Sequence, residues 1–157
     1  VSAPGSTIDE INARRAEAVA RAEERAAKPR SVKFRRTFDD RSTGSFVVLD
    51  NPSKLSSSDW ARVVCVFVSG SAWQFKGWPF KDPAHLFSKV SGFSLRFSDE
   101  RPNQTVKGWN VTHLIISKTS TKQHEVGVAA MNFWTAVHKF MAQQKPHLLT
   151  RPGAAHL

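Results

Sequence analysis

The feature that most constrains this chain is an apolar run, Val63–Val68, followed directly by a loop rich in tryptophan. Its six consecutive apolar residues, most of them β-branched, predict a strand buried on both faces. A loop that leaves such a strand lies at the rim of the sheet, where open α/β folds bind ligands. Residues 69–80, which we call the aromatic loop, include Trp73, Gln74, Lys76 and Trp78. Flat rings beside a cation and an amide predict a recognition loop. The alternative is that the two tryptophans fold back to cap the core.

Composition indicates one domain with its own core. With 157 residues, 40% of them hydrophobic, the chain can bury a core without disulfides or metal. We expect an N-terminal helix and basic segment over 1–45, a core over 46–149 and a tail over 150–157, all in one structural domain. The single cysteine, Cys65, lies inside the apolar run, so we expect an unreactive thiol and a reducing compartment. No stretch has the length of a membrane span, so we expect no membrane association.

The formal net charge of +10 indicates acidic partners, because such a surface attracts nucleic acid, phosphorylated peptides or acidic proteins. The densest basic segment runs from Lys28 to Arg41. Within it, Lys33, Arg35 and Arg36 form a candidate secondary basic patch. The alternative for this segment is a solvated linker or edge strand that its charges keep soluble.

Capping and turn signals divide the chain into alternating helices and strands. A capping box over Thr7–Glu10 predicts a helix from Ile8 to Ala27. Ser58 or Asp59 is the expected cap of one helical turn before the apolar run. The other expected elements are a weak edge strand or loop over 31–38, a strand over 46–49, a helix over 83–90 stopped by Gly92, a strand with one wet face over 93–97, a polar loop over 99–107, a strand over 111–117, and a helix from 126 or 128 to 144. The alternation predicts an α/β sheet covered by helices, with antiparallel pairs where connections are short.

Sequence motifs for catalysis are missing. No glycine-rich loop is followed by Lys and Ser or Thr, so we expect no nucleotide-binding P-loop. The six histidines have no partners at metal-ligand spacing, so we expect no metal site. No G-x-S-x-G elbow is present, and Cys65 lies in a predicted strand. We therefore predict a protein that is not an enzyme and has no cofactor.

The residues around the aromatic loop are similar to a known family. The segment Asp59-Trp60-x-Arg62-Val63-Val64-x-Val66-Phe67-Val68-x-Gly70-x-Ala72-Trp73-Gln74-Phe75-Lys76-Gly77-Trp78-Pro79 resembles the C-terminal domain of the parafibromin family. The similarity covers roughly residues 46–148 and includes Val106-Lys107-x-Trp109-x-Val111 and Phe133-Trp134. It implies a Ras-like mixed sheet flanked by helices and without a P-loop. The family's domain opens with an apolar first strand, of which Val1 could be at most the last residue. We therefore expect a sheet that lacks this strand or a truncated chain.

The resemblance also implies a function in the nucleus. Members of the family are subunits of the polymerase-associated factor complex, which travels with RNA polymerase II and promotes histone modification during elongation. It implies a non-catalytic docking module whose partners are the phosphorylated tails of the polymerase and of elongation factors, and other subunits of the complex. We expect a monomer in isolation.

A phosphorylated tail offers negative charge and acceptor oxygens that one or two cations can recognise. We predict that Arg62, Lys76 and Lys107 supply the charge, and that packing and orientation come from Trp73, Gln74 and Trp78. For Arg62 the alternative is a residue that only flanks the strand. Three other functions stay open: nucleic-acid binding by the basic surface, a degenerate or active GTPase, which would require nucleotide binding, and a structural interface with other subunits that Trp73 and Trp78 anchor.

Overall fold

The computed structural model describes residues 8–27, 31–119, 121 and 123–153. The chain forms two compact units. The first comprises the chain up to Phe34 together with Val47–Asn51, and the second comprises Arg35–Phe46 and the chain from Pro52 onward. The expectation of a single structural domain stays a prediction.

The first unit contains helix α1, Ile8–Ala27, with the bounds that the sequence predicts. Alanines and Glu–Arg pairs four residues apart favour this helix, and the acidic residues of its first turn complement the helix dipole. Its apolar stripe is thin, since Ile8, Ile11 and Val19 are all exposed. Of the predicted capping box, Thr7 lies outside the described residues.

A two-stranded sheet is formed by β1, Ser31–Thr37, and β2, Thr43–Leu49. The short connection makes the pair antiparallel. Its turn is closed by two bonds, from the Arg41 N–H to the Phe38 carbonyl (2.9 Å) and from the Phe38 N–H to the Ser42 carbonyl (2.8 Å). The weak strand predicted over 31–38 is therefore confirmed as a strand, and the one predicted over 46–49 begins earlier, at Thr43.

A parallel three-stranded sheet forms the centre of the second unit, in the order β3, β4, β5. These strands are Cys65–Phe67, Ser91–Phe97 and Val111–Ile116. Parallel neighbours need crossover connections. Here they contain α3, Pro83–Lys89, and α4, Gln104–Lys107. Helix α2, Ser57–Arg62, precedes the sheet and α5, Gln123–Gln144, follows it.

Helices α3 and α5 cover opposite faces of this sheet. A Cβ at Gly92 would lie 2.6 Å from the Phe87 ring of α3, whereas the Phe93 ring packs 4.7 Å from that of Phe133 in α5. Successive strand residues face opposite sides, so each helix has a core of its own. The α3 core contains Val68, Leu86, Phe87, Val90 and Val106. The α5 core contains Phe93, Leu114, Val137 and Met141.

The structure corrects the prediction for the apolar run. Strand β3 covers only three residues, and Phe67 is 48% exposed rather than buried on both faces. The physical reason is position: among the described residues β3 pairs with β4 alone, so it is an edge of the parallel sheet. Beyond Phe67, Val68 is buried in the α3 core.

Other local predictions were also wrong. The cap of α2 is Ser56, which forms a capping box with Asp59, and not Ser58 or Asp59. Helix α3 ends at Lys89 with Val90 as its C-cap, while Gly92, the predicted stop, lies within β4.

Three further bounds or faces differ from expectation. The predicted polar loop over 99–107 contains α4, which Asn103 caps. Helix α5 begins at Gln123, ahead of both predicted starts. In β4 the expected wet face is half-buried, and Leu95 on the other face is 51% exposed.

The predicted fold class is confirmed: parallel and antiparallel sheets are flanked by helices. An antiparallel bridge between Thr43 and Thr150 joins the start of β2 to the segment after α5 within the second unit. None of the described helices combines the length and the hydropathy that a membrane crossing requires.

Candidate functional site

The aromatic loop leaves the carboxyl end of β3 and is fixed by a series of turns. Residues Ala72–Phe75 form a 3-10 helix, and bonds of 3.1 Å join the Lys76 N–H to the Trp73 carbonyl and the Trp78 N–H to the Phe75 carbonyl. Gly70 has φ +89°, and a Cβ there would lie 2.3 Å from Nδ2 of Asn103. Glycine at this position therefore allows the loop to approach the cap of α4.

Gln74 attaches the loop to the edge of β3. Its Nε2 donates to the Phe67 carbonyl (2.8 Å), and its Oε1 accepts from the Ser69 N–H (2.8 Å) and the Ser69 hydroxyl (3.0 Å). A residue of a neighbouring parallel strand would make the same two backbone bonds, to residues two apart. The Gln74 amide therefore continues the sheet by one hydrogen-bonded pair. Its oxygen and nitrogen already form hydrogen bonds, to Ser69 and Phe67 respectively.

The two tryptophans of the loop have different environments. Trp73 is 76% exposed, which among the large hydrophobic side chains of the described residues is exceeded only by Ile8. Trp78 is half-buried and packs 5.1 Å from Trp60 and 5.2 Å from Phe75, measured between ring centroids. Trp73 thus fits the recognition reading, and Trp78 fits the alternative in which it packs on the core.

A shallow cavity of about 220 Å³ opens beside Trp78, and we call it the first cavity. Phe75, Trp78 and Phe80 supply aromatic walls, and Lys76 and Lys81 bring cations to it. Both lysines are exposed, and no described carboxylate forms a salt bridge with either. The arrangement can hold an apolar group with an anion beside it.

Arg62 and Lys107 each lie two residues in sequence from a tryptophan whose ring contacts the aromatic loop. Arg62 is exposed in the last turn of α2, two residues after Trp60, which contacts Trp78. Lys107 is exposed in the last turn of α4, two residues before Trp109, whose ring lies 5.3 Å from that of Phe75. The hydrogen bonds from Ser56, with a smaller contribution from Arg62, lower the pKa of Asp59.

The candidate secondary basic patch lies on β1 and is divided by strand alternation. Lys33 belongs to the first unit and is exposed. In the second unit, Arg35 is exposed on one strand face, while Arg36 lies on the other. The Arg36 guanidinium lies 4.6 Å from the ring centroid of Trp134 and 6.0 Å from that of Phe38. Arg36 therefore forms cation–π contacts within the second unit.

Sequence reasoning missed a polar cluster that joins the β1–β2 turn to α5. The Ser42 hydroxyl, 1% exposed as a residue, donates to Oδ1 of Asp40 (2.6 Å) and lies 3.2 Å from Nε2 of His138. Asp40 Oδ2 lies 3.2 Å from the same nitrogen, and the Phe38 ring stacks on the imidazole at 4.3 Å. Hydrogen bonds from Ser42, above all that of its hydroxyl, lower the pKa of Asp40.

This Asp–Ser–His cluster is not arranged for nucleophilic catalysis. A triad needs the carboxylate on one imidazole nitrogen and the hydroxyl on the other, whereas here both meet Nε2. Burial raises the pKa of the Cys65 thiol to about 11, which agrees with the predicted inert cysteine. Within the described part of the chain, no group of three metal-ligating side chains is present.

Comparison with known proteins identifies the family. Residues 11–140 match the family described as RNA polymerase II accessory factor, Cdc73 family, C-terminal. The chain belongs to the Cdc73 family. The resemblance to parafibromin proposed from the residues is confirmed, and the family description supports a role associated with transcription by RNA polymerase II. The match also includes most of α1, which lies before the stretch of roughly residues 46–148 that the sequence resemblance covers.

Relatives in distant organisms agree with this assignment. The chain is 37% identical over 107 residues to cell division cycle protein 73 of Caenorhabditis elegans and 41% identical over 124 residues to the CDC73 homolog of Arabidopsis thaliana. These matches cover 68% and 76% of the Cdc73-family chain described here, but only 20% and 29% of the two relatives. The chain thus spans less than a third of their length.

A solved structure shares the fold. The conserved domain of yeast Cdc73 superposes with a TM-score of 0.68 at 26% identity, and the match covers 76% of each chain. This similarity confirms the Ras-like arrangement of a mixed sheet flanked by helices that the resemblance implies.

Proposed function

We propose that this Cdc73-family domain is a docking module for phosphorylated tails of the transcription machinery, carried by RNA polymerase II or by elongation factors. The observation that carries the proposal is Trp73, which is 76% exposed and lies three residues from Lys76. Lys76 in turn borders the first cavity, whose walls are aromatic. The loop therefore presents a ring, a cation and an apolar cavity together.

The chemistry of the loop suits a phosphorylated ligand. Phosphorylation adds about −1.5 to −2 charge and three acceptor oxygens near neutral pH. Lys76, Lys107 and Arg62 supply the matching cations, and Trp73 supplies flat apolar area for the residues beside the phosphate. Gln74 is proposed to supply orientation by fixing the loop through its bonds to Phe67 and Ser69.

A titration with matched tail peptides tests the proposal. Phosphorylated and unphosphorylated peptides of one sequence are titrated, and binding is read from peptide anisotropy across salt concentrations. We expect a preference of about tenfold or more for the phosphopeptide, equivalent to about 1.4 kcal/mol. Lys76→Glu should abolish that preference, and Trp73→Ala should weaken the binding of both peptides. Lys139→Glu is the matched control, since it makes the same charge change on an exposed residue of α5, across the sheet.

Equal binding of both peptides with a steep salt dependence would contradict the proposal and favour nucleic-acid binding by the basic surface. No binding of either peptide, together with capture of other subunits of the polymerase-associated factor complex, would favour a structural interface.

In cells, we propose that the module acts in the nucleus, catalyses no reaction itself and supports histone modification through chromatin association. The double variant Arg62→Glu, Lys76→Glu should lower chromatin recruitment while the protein stays folded. Unchanged recruitment would contradict this assignment.

A further inference from the structure

Among the described residues, the parallel sheet ends at β3 on one side and at β5 on the other. At the β3 edge, side chains already bond to backbone groups that point away from β4. Gln74 bonds to the Phe67 carbonyl and the Ser69 N–H, and this strand is only three residues long. Lys145 donates to the Val63 carbonyl. Short, covered strands are one way in which proteins keep a sheet edge from pairing, so the β3 edge is protected.

Strand β5 has none of these protections within the described part of the chain. It is six residues long and pairs with β4 without a bulge, from Val111 to Ile116. Its sequence contains no proline, lysine, aspartate or glutamate, which are the residues that usually discourage pairing at an edge. The two edges of one sheet therefore differ: one is protected and the other is open.

The register shows which backbone groups of β5 point away from β4. The Ser98 N–H donates to the Ile116 carbonyl (2.8 Å), so Ile116 and the residues two and four positions before it bond to β4. The N–H and carbonyl groups of His113 and Ile115 therefore point outward. No described residue forms a hydrogen bond with these four groups. Donors and acceptors in this alternation are the pattern with which an added strand pairs.

Side chains beside these backbone groups are accessible. Leu114 packs in the α5 core, so His113 and Ile115 face the other side of the sheet. His113 is exposed, and Ile115 is 44% exposed. A strand added next to β5 would place one of its own side chains beside Ile115, where an apolar residue packs favourably.

The charge around β5 favours an acidic partner. The sequence has no aspartate or glutamate from Arg101 to Thr119. Lys107, in the last turn of α4 before the strand, is exposed and forms no salt bridge with a described carboxylate. Lys118, after the strand, is already paired with Asp99 (3.3 Å). An unpaired cation therefore precedes β5, and the net charge of +10 opposes the pairing of two copies of this chain.

We propose that the outer edge of β5 is a second docking site, which binds an extended acidic segment of a partner protein as an added strand. Backbone bonds to His113 and Ile115 hold the segment, an apolar residue packs on Ile115, and a carboxylate lies near Lys107. The aromatic loop leaves the carboxyl end of β3, at the other edge of the sheet, and the two sites share only Lys107. The inference therefore does not depend on the proposed function.

Three matched peptides test this inference. The first is an eight-residue peptide with central valines and threonines and two glutamates at each end, capped and fluorescently labelled. The second has the same sequence with its four central backbone nitrogens methylated, which removes strand pairing but keeps the charge. The third has lysines in place of the glutamates. We expect the first peptide to bind about tenfold more tightly than either of the others, measured by anisotropy.

Two variants of one residue separate the backbone from the side chain. His113→Pro removes an outward N–H and leaves the bonds to β4 in place, because proline is tolerated where an edge N–H faces solvent. His113→Ala removes the imidazole and keeps the N–H. His113→Pro should lower affinity for the acidic peptide about tenfold, and His113→Ala by less than about twofold. Lys107→Glu should weaken binding several-fold, whereas the matched control Lys139→Glu should keep it.

Amide hydrogen exchange gives a readout on the unmutated protein. Without peptide, the amide hydrogens of His113 and Ile115 should exchange faster than that of Leu114, which bonds to β4. The acidic peptide should slow the exchange of the first two. Thermal unfolding of His113→Pro shows that lost binding does not come from a lost fold.

Four results would overturn the inference. Equal affinity for the methylated peptide would show that binding does not use strand pairing. Equal affinity for the lysine peptide would remove the preference for an acidic partner. A dimer that is lost in His113→Pro would assign this edge to a second copy of the chain. No binding of the acidic peptide, with exchange at His113 and Ile115 unchanged, would leave β5 a solvated edge. Each of these results leaves the proposal for the aromatic loop intact.

Discussion

The two faces of the parallel sheet use aromatic residues for different purposes. On the α5 face, Phe93, Val137 and Met141 are buried, and Asp40, Ser42 and His138 form a hydrogen-bonded cluster. On the α3 face, the rings are only partly covered, cavities open between them, and several lysines nearby lack partner carboxylates among the described residues. Aromatic content alone therefore does not mark a binding surface. The α3 face is distinguished by cavities, the first of which is bordered by lysines that lack partner carboxylates among the described residues.

The largest expected effect is a loss of stability when the buried core on the α5 face is disrupted. Phe93 is 0% exposed and contacts Phe133, so Phe93→Ala should lower the free energy of unfolding by about 3–5 kcal/mol through lost burial and a cavity. Urea unfolding measures the loss. A change under about 1 kcal/mol would mean that the α5 core can collapse around the deletion.

A pair of tryptophan variants sharpens the comparison within the aromatic loop. Trp78→Ala removes contacts with Trp60 and Phe75 and should cost about 2–3 kcal/mol, since the ring is only half-buried. Trp73→Ala, on an exposed ring, should change stability by less than about 0.5 kcal/mol while it weakens peptide binding. Urea unfolding and peptide anisotropy are measured on both variants. Equal stability losses would contradict the separate roles assigned to the two rings.

Alanine substitutions at two glycines of the aromatic loop test whether packing or backbone conformation alone fixes the path of the loop. Both have positive φ, but a Cβ at Gly70 would meet Asn103, whereas one at Gly77 would meet nothing within 4 Å. Gly70→Ala should therefore cost about 2 kcal/mol, and Gly77→Ala, the matched control, about 1 kcal/mol. Thermal unfolding compares them. Equal costs would show that the loop can shift away from Asn103, the cap of α4, without a further loss of stability.

The smallest expected effect is a pH dependence of stability that arises from Asp40. Because hydrogen bonds from Ser42 lower the folded-state pKa of Asp40, they add stability above the ordinary aspartate pKa. This stability is lost as the pH falls below about 4, through the lower folded-state value. The stability difference between the native protein and Asp40→Asn should therefore shrink between pH 6 and pH 3. Asp39→Asn removes the same charge one residue away, and a similar pH dependence there would contradict the assignment to Asp40.

Local signals predicted the elements that depend on local interactions. The bounds of α1 follow from its composition and charge pairs. The exposure of Trp73 follows from a loop that leaves a strand end, and the family follows from the residues around that loop. The cap of α2 was missed because Ser56, Ser57 and Ser58 carry the same local signal, and only the backbone path selects Ser56.

Interactions across the chain account for the rest. Ser42 and His138 are 96 positions apart, and nothing in either local sequence indicates the other. The exposure of Phe67 depends on which strands pair with β3, which its apolar run cannot specify. The cavities beside α3 form between segments far apart in sequence, so the residues predicted the lysines and rings but not the spaces between them.

The hydrogen bonds of Gln74 have a consequence for the entropy of binding. Because its amide ties the loop to the backbone at Phe67 and Ser69, the neighbouring Trp73 backbone is ordered before any ligand arrives. A ligand that packs on this ring then has to immobilise one side chain rather than a whole segment. Immobilising one side chain costs about 0.5–1.5 kcal/mol. In the proposed docking module, the Gln74 amide would therefore raise affinity by preorganisation, without touching the ligand.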